Sequence, residues 1–383
     1  MIGRRLALCL VAATTVSLAA CQRRIASAVT PEPPAVNVYA PSEVRTLSAA
    51  VGGALPRVYV PNVKSNDVTV IDPATRKVID TYPVGRSPQH VVPSWDLRTL
   101  WVTGSAEGRV PGSLTPIDPV TGKAGPALTV DDAYNMYSSQ DGRFAIVVAE
   151  ARRRLEYRDP HSMKLEAEVT DRACKGLNHA DFAPDGRYAI FTCEFSGGLA
   201  KIDIDRREVL GYLPLARGGM PQDIRIGPDG RTFYVANMMT DGVSLIDGPT
   251  FKEVGFIPTG PGAHGLYPSR DGRFLYVSNR GSHSVNGARG GPGSVSVIDF
   301  SSRTVVRTWP IPGGGSPDMG NVSLDGRTLW LSGRFDDVVY AIDTASGHVD
   351  KIPVGHMPHG LTVWPQPGRF SLGHTGVMRG AGS

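Results

Sequence analysis

Cysteine is scarce: four in 383 residues, none in a C-x-x-C-H run, so covalent haem attachment is excluded. There is no G-x-S-x-G elbow, no H-E-x-x-H and no P-loop, and no G-x-G-x-x-G opens a helix. These absences argue against the commonest enzyme classes. They leave open enzymes whose groups converge from distant segments without a linear motif. Charge of one sign is also missing, with 40 basic and 36 acidic side chains. No basic face for nucleic acid is implied. The apolar run at residues 6–20 is about 15 residues long, too short for an ordinary membrane span.

What is present is turn chemistry. Glycine (45) and proline (31) are abundant and the Val-rich runs are short, as expected for many strands joined by turns. The N-terminus reads as a secretory signal over residues 1–20: Arg4 and Arg5, an apolar core, then small residues before Cys21. The Leu18-Ala19-Ala20-Cys21 ending resembles a bacterial lipobox, which implies cleavage before Cys21 and a diacylglyceryl thioether on it; the alternative is an ordinary signal peptide. Cleavage removes Arg4 and Arg5 and leaves 38 basic against 36 acidic side chains, close to neutral. Residues 21–56, with TPEPPAV and APSE, read as a flexible tether. Residues 37–39 and 44–47 could lie against the domain but are not assigned there.

A hairpin then recurs. Residues 221–237 (PQDIRIGPDGRTFYVAN) read as strand, Pro-Asp-Gly-Arg turn, strand, and the pattern returns near residues 178, 263 and 316. The Arg closing each turn, or its equivalent, falls at Arg57, Arg98, Arg143, Arg187, Arg231, Arg273, Arg327 and Arg369. The spacings are 41, 45, 44, 44, 42, 54 and 42, which makes seven units. An Asp ends an alternating strand in each unit: Asp72, Asp118, Asp159, Asp203, Asp247, Asp299 and Asp343. Such an Asp starts a turn by accepting nearby backbone N–H groups. Each unit supplies four strands, A to D, and the expected fold is an all-β, seven-bladed β-propeller over residues 57–369. The first unit lacks an A strand and residues 359–363 form a spare one, so the C-terminal strand should complete the N-terminal blade. Residues 370–383 form a tail beyond the repeat.

RVYVPN (57–62), FYVAN (233–237) and FLYVSN (274–279) resemble the name-giving strand of the YVTN-type propeller repeat family, from Pro56 to about Pro367. AIVVA (145–149) departs from it most. Propellers similar to this family include lactone-hydrolysing and ring-opening lyase proteins. There is also similarity to haem d1-binding propellers of nitrite reductases and their assembly factors, which implies an axial histidine at His179 or His264.

Antiparallel order puts the short A–B and C–D turns on one face and the variable B–C loops and D–A connections on the other. The variable face carries residues 107–112, 151–154, 194–198 and 238–242, and the insertion 280–293, expected to act as a lid or docking loop. Inner strands begin there. One column is Gln89, Tyr134, Asn178, Gln222, His264, Asp318 and His359; the next is His90, Asn135, His179, Asp223, Gly265, Met319 and Gly360. His90, His179, Asp223, His264, Asp318 and His359 are the candidate ligand-binding residues. His264, Asp318 and His359, from adjacent blades, could hold a divalent metal, bind an anion, or act as acid–base groups. Cys174 and Cys193, 19 apart, suit a disulfide in an exported protein; with His179 they could instead form a copper or zinc site. Arg152-Arg153-Arg154 and Met238-Met239 are further rim features. The expected function is a lipid-anchored, extracytoplasmic binding module, monomeric, that takes a small ligand or another envelope protein at the variable face. The alternatives are a metal-assisted lactonase- or lyase-like enzyme and a haem d1 or other tetrapyrrole-binding factor.

Overall fold

The computed structural model describes residues 37–40, 47–108, 111–373 and 378–379. The expected signal segment and lipidated Cys21 lie outside the described residues. Among the described residues no helix is long and apolar enough to cross a membrane.

Seven four-stranded antiparallel sheets form the blades of a β-propeller. Blade 5 shows the pattern: Pro221–Ile226, Thr232–Asn237, Gly242–Asp247 and Lys252–Pro258. Its first three strands are buried throughout, whereas the outer strand is mostly exposed or half-buried. That gradient follows from radial packing, because inner strands meet the channel and both neighbouring blades. Apolar clusters accordingly lie between blades. Val58 and Val60 of blade 1 pack with Trp330 and Val339 of blade 7, while Tyr59 and Val68 pack with Val91 and Val102 of blade 2.

The ring closes as the spare strand implies. Thr362–Trp364 pairs antiparallel with Arg57–Asn62 in the register Arg57↔Trp364, Val58↔Val363 and Tyr59↔Thr362. The repeated Asp residues are turn acceptors: Asp72 Oδ1 takes the N–H groups of Ala74 and Thr75 at 2.8 and 3.2 Å. In the Pro-Asp-Gly-Arg turn, Asp229 Oδ1 takes the Arg231 N–H at 2.9 Å, and Gly230 supplies φ of 65°.

The chain meets the propeller before the expected boundary at residue 57. Val38 N–H donates to Pro228 O, and buried Tyr39 donates its hydroxyl to Ile226 O. Leu47 bridges Gly368, and Ala49–Val51 forms a turn of 3₁₀ helix against blades 1 and 2. In the tail, Phe370–Ser371 pairs with Met378–Arg379, and Arg379 Nη2 reaches Asp181 Oδ1 at 3.1 Å and Phe182 O at 3.2 Å. Tyr39 and Arg379 thus cover the C-terminal ends of inner strands in blades 4 and 5.

Candidate functional site

The other end of the channel is built by a repeated irregularity. In five inner strands the ladder slips after the first pair: Pro88/His90, Leu177/Ala180, Pro221/Ile224, Ala263/Leu266 and Pro317/Gly320. In blade 1 the Pro358–Asn62 bridge is likewise separated from the strand starting at Thr362. Such bulges re-aim side chains out of the sheet. They fall on the polar columns and turn them to the channel. Hydroxyls of the next strand take up the freed N–H groups: Thr103 accepts from His90, Thr192 from His179, and Ser278 from Gly265, at 3.1, 3.0 and 2.7 Å. Two of them also donate to the next blade, Thr103 to Tyr134 O and Ser278 to Asp318 O, at 2.9 and 2.8 Å.

Above the bulges lies a cavity of about 420 Å³. The first column supplies Gln89, Tyr134, Gln222, His264 and His359 to its lining. A second set comes from the residue just after strand B in each blade: Val63, Ser105, Glu150, Glu194, Arg280 and Arg334. Met238 holds that position in blade 5 and is buried, with its sulfur 3.7 Å from Arg280 Nη1. Met238 and Met239 therefore do not make a joint surface spot; only Met239 is exposed. The insertion 280–293 contributes Val285 and Asn286 to the lining. It is tied down on both sides, by His283 to Asp241 (2.6 Å) and by Gly290 N–H to Asp336 (2.9 Å).

Asp318 is the centre of the basic side. Arg280 Nη2 donates to its Oδ1 at 2.7 Å, and His264 Nδ1 lies 2.8 Å from the same oxygen. Arg334 Nη1 and His359 Nε2 approach Oδ2 at 3.6 and 3.7 Å. Burial alone would raise the Asp318 carboxyl; Arg280 and the flanking imidazoles outweigh it and hold it well below the usual carboxylate range. Arg280 Nη2 also contacts His264 Nε2. Because a guanidinium only donates, the His264 proton belongs on Nδ1, facing Asp318. Burial and the Arg280 charge lower His264 to about 4. Burial likewise drives His90, His179 and His359 well below the ordinary histidine value, so the imidazoles are neutral at pH 7.

The structure brings five of the six expected residues together: four histidines in two layers, and Asp318 against His264 and His359. His264 and His359 line the cavity, and His90 and His179 sit beneath. His90 is 4.7 Å from His359 and 5.3 Å from His179 between ring centroids, with Tyr134 packed on both lower rings. Asp318 lies behind the two arginines. Asp223 is elsewhere. Its Oδ1 takes the Ile224 N–H and its Oδ2 the Leu266 N–H of the next blade, at 2.9 Å each, and Arg225 Nη1 lies 3.3 Å away. It pins blade 5 to blade 6 and is corrected from ligand contact to a structural role.

Burial, only partly offset by Arg225, pushes the Asp223 carboxyl up to about 6. The folded protein therefore holds a proton that the unfolded chain, titrating near ~4, has released. The associated stability is full below about pH 4 and is lost as pH rises through 6. Relative to Asp223→Asn, the wild-type protein should lose about 2–3 kcal/mol between pH 4 and pH 7. Urea midpoints at the two pH values measure it; a constant difference would refute the assignment.

Among the described residues no group of three His, Cys, Asp or Glu side chains is arranged to hold a metal ion. The reason at His264, Asp318 and His359 is electrostatic: the carboxylate a cation would need already holds Arg280, with Arg334 beside it. Cys174 and Cys193 form a disulfide, so neither sulfur is a free ligand for a Cys/Cys/His site. Arg152 and Arg154 are engaged by Asp131, each at 3.1 Å, so the basic run is internally paired there.

The acidic side was missed by the sequence reading. Glu194 accepts from Asn178 Nδ2 at 2.7 Å and from Gln222 Nε2 at 3.0 Å. Burial raises both Glu150 and Glu194, and the negative charge of Glu194 raises Glu150 further. Asp132, beside them, is pushed up to about 6 by burial. A signal for all this existed, since Glu150, Glu194, Arg280 and Arg334 occupy one column after strand B.

The sequence profile of the YNCE-like β-propeller matches residues 19–367. The chain belongs to this family. No curated protein matches it. Solved structures similar to this YNCE-like propeller include dihydro-heme d1 dehydrogenase NirN, in complex with DHE. That match has 18% identity and a TM-score of 0.59, covering 83% of this chain and 76% of NirN. A candidate 6-phosphogluconolactonase from Bacteroides uniformis has 16% identity and a TM-score of 0.62, covering 80% of this chain and 98% of that one. Hydrazine synthase from Kuenenia stuttgartiensis has 18% identity and a TM-score of 0.57, covering 70% and 87%. At these identities the likeness is one of fold. The cavity of this YNCE-like propeller is therefore read from its own residues.

Proposed function

We propose that the protein is a binding module whose variable-face cavity holds a small ligand through an anionic group placed on Arg334. One observation carries this. Arg334 lines the cavity with its side chain 13% exposed, and its Nε and Nη1 have no hydrogen-bond partner among the described residues. Its nearest charge, Asp318, is already bonded to Arg280. Two guanidiniums with one carboxylate and neutral imidazoles leave a local positive surplus. A planar fork of N–H donors in that setting suits a carboxylate or phosphate.

The same placement weakens the alternatives. Axial ligation of a tetrapyrrole would use His179 or His264. The first is fully buried beneath Tyr134 and His90, and the second is committed to Arg280 and Asp318. A metal-assisted lactonase or lyase would need the carboxylate that Arg280 occupies. We read the repeats as YVTN-type and the N-terminus as a lipoprotein signal, which would hold a monomeric propeller at the outer side of a bacterial membrane. The disulfide supports an oxidising compartment. The rim around the insertion 280–293 remains the place where an envelope protein would dock.

Arg334 also predicts an unusual pairing of effects. Arg334→Met removes a buried, poorly paired charge while leaving the Arg280–Asp318 pair intact. Stability should stay unchanged or rise by about 1–3 kcal/mol. Binding of small carboxylates and phosphates, followed by thermal shift and calorimetry, should fall at least about tenfold, the loss of a charge-assisted hydrogen bond. Binding that persists at wild-type strength in Arg334→Met would overturn the reading.

A further inference from the structure

The cavity is polarised by blade. Seven blades surround it, and the position after strand B is Glu in blades 3 and 4 and Arg in blades 6 and 7. Ring geometry puts these pairs on opposite walls, with Ser105 and Val63 on one flank and Met238 on the other. The acidic wall is built to hold its carboxyl groups in place. Glu194 is 5% exposed and fixed by Asn178 and Gln222, two residues of the inner-strand column. Opposite it, Arg280 is 3% exposed and its Nε lacks a hydrogen-bond partner. Such opposed walls match a ligand carrying both signs of charge.

Resting on the anion-binding reading above, we infer that the ligand is a small zwitterion, an α-amino acid in the simplest case. Its carboxylate meets Arg334 beside Arg280, and its ammonium meets Glu150 and Glu194. Phe195 and Val285, exposed apolar residues that also line the cavity, face whatever apolar remainder the ligand carries. A cavity of about 420 Å³ lies in the range of small-molecule sites.

The inference has a thermodynamic consequence. We take the proton of the free protein to sit on Glu150, whose carboxyl is raised by burial, Glu194 and Asp132 against the opposing charge of Arg334. Glu194 also feels Arg280, and Tyr134 lies close to both carboxyls. An ammonium group arriving between the two glutamates supplies the positive charge that the proton provided. Glu150 then ionises, and its proton leaves to solvent. His264 and His359, neutral before and after, take no part.

The test is calorimetric titration of the whole protein with free L-amino acids and with their N-acetyl derivatives, which keep the carboxylate and lose the ammonium. Measurements at pH 7 in bis-Tris and in Tris, neither of which carries an anionic group, count protons. The free amino acid should bind about tenfold to a hundredfold more tightly than its N-acetyl form, as expected for one charge-assisted contact. About one proton should be released per ligand bound. Glu150→Gln keeps a donor to Glu194 but cannot ionise; it should abolish proton release and remove the preference for the free amino acid over its N-acetyl form. N-acetyl forms binding as well as free amino acids, and still lost in Arg334→Met, would sink the zwitterion and spare the anion site. If no small carboxylate or phosphate binds in an Arg334-dependent way, both readings fall.

Discussion

Asp318→Ala is expected to lower unfolding free energy by about 3–5 kcal/mol, the magnitude seen when one partner of a buried ion pair is removed. Asp318 is fully buried and is the only carboxylate touching Arg280 among the described residues. Arg280 itself is 3% exposed, so its charge has no water to turn to. Arg334, 3.6 Å from the other carboxylate oxygen, loses its nearest counter-charge at the same time. The alanine variant thus leaves two buried guanidiniums facing each other. Asp318→Asn should fall nearly as far, because geometry is kept and charge is lost. The pH dependence has a definite sign. The folded carboxyl titrates below the unfolded value of ~3.9, so its contribution is present above that pH and is lost only as pH falls through the folded value. Urea denaturation of both variants at pH 7 measures the effect; a loss under about 1 kcal/mol would mean that Asp318 does not balance the arginines.

Removing the Cys174–Cys193 disulfide, as Cys174→Ser with Cys193→Ser, should cost about 3 kcal/mol for a loop of this length. The bridge joins positions 19 apart and both cysteines are buried. Its second effect is local. Glu194 follows Cys193 directly, and its N–H donates to Gly176 O at 2.8 Å, within the segment the bridge holds. Glu194–Ser196 is a single turn of 3₁₀ helix leading into the next strand. Without the bridge, the acidic wall loses the tether beside it. Ligand affinity should therefore drop along with thermal stability, whereas Asp223→Asn should change stability and its pH dependence alone. Full affinity in the double serine variant would separate the disulfide from the site.

Much of the architecture was legible because propeller repeats are local. Each turn Asp satisfies backbone groups two or three residues away, so its spacing survives in the sequence whatever the rest of the ring does. The spare strand at residues 359–363 was legible for a related reason: an incomplete first unit needs a partner. The candidate site was half legible. The first inner-strand column lines the cavity, but the column after strand B was hidden. The B–C loops differ in length, so Glu194 and Arg280 read as the first residues of loops, and nothing marked Glu150 and Arg334 as their equivalents. Asp223 was misread because nothing local distinguishes a residue aimed at the cavity from one taking the Leu266 N–H 43 positions along the chain.

Seven units, their closure by the C-terminal strand and the face bearing variable loops were determined by the sequence alone, because each follows from periodicity and antiparallel order. The tertiary structure decided which polar side chains share a space and which of them carry charge. His359 meets Gln89 across 270 residues, and Asp318 meets Arg280 across 38. Those approaches, and the burial that neutralises the imidazoles and raises the carboxyls of Glu150 and Glu194, exist only once the ring is shut. A charge state is set by desolvation and by neighbours in space, and neither is a property of any stretch of chain.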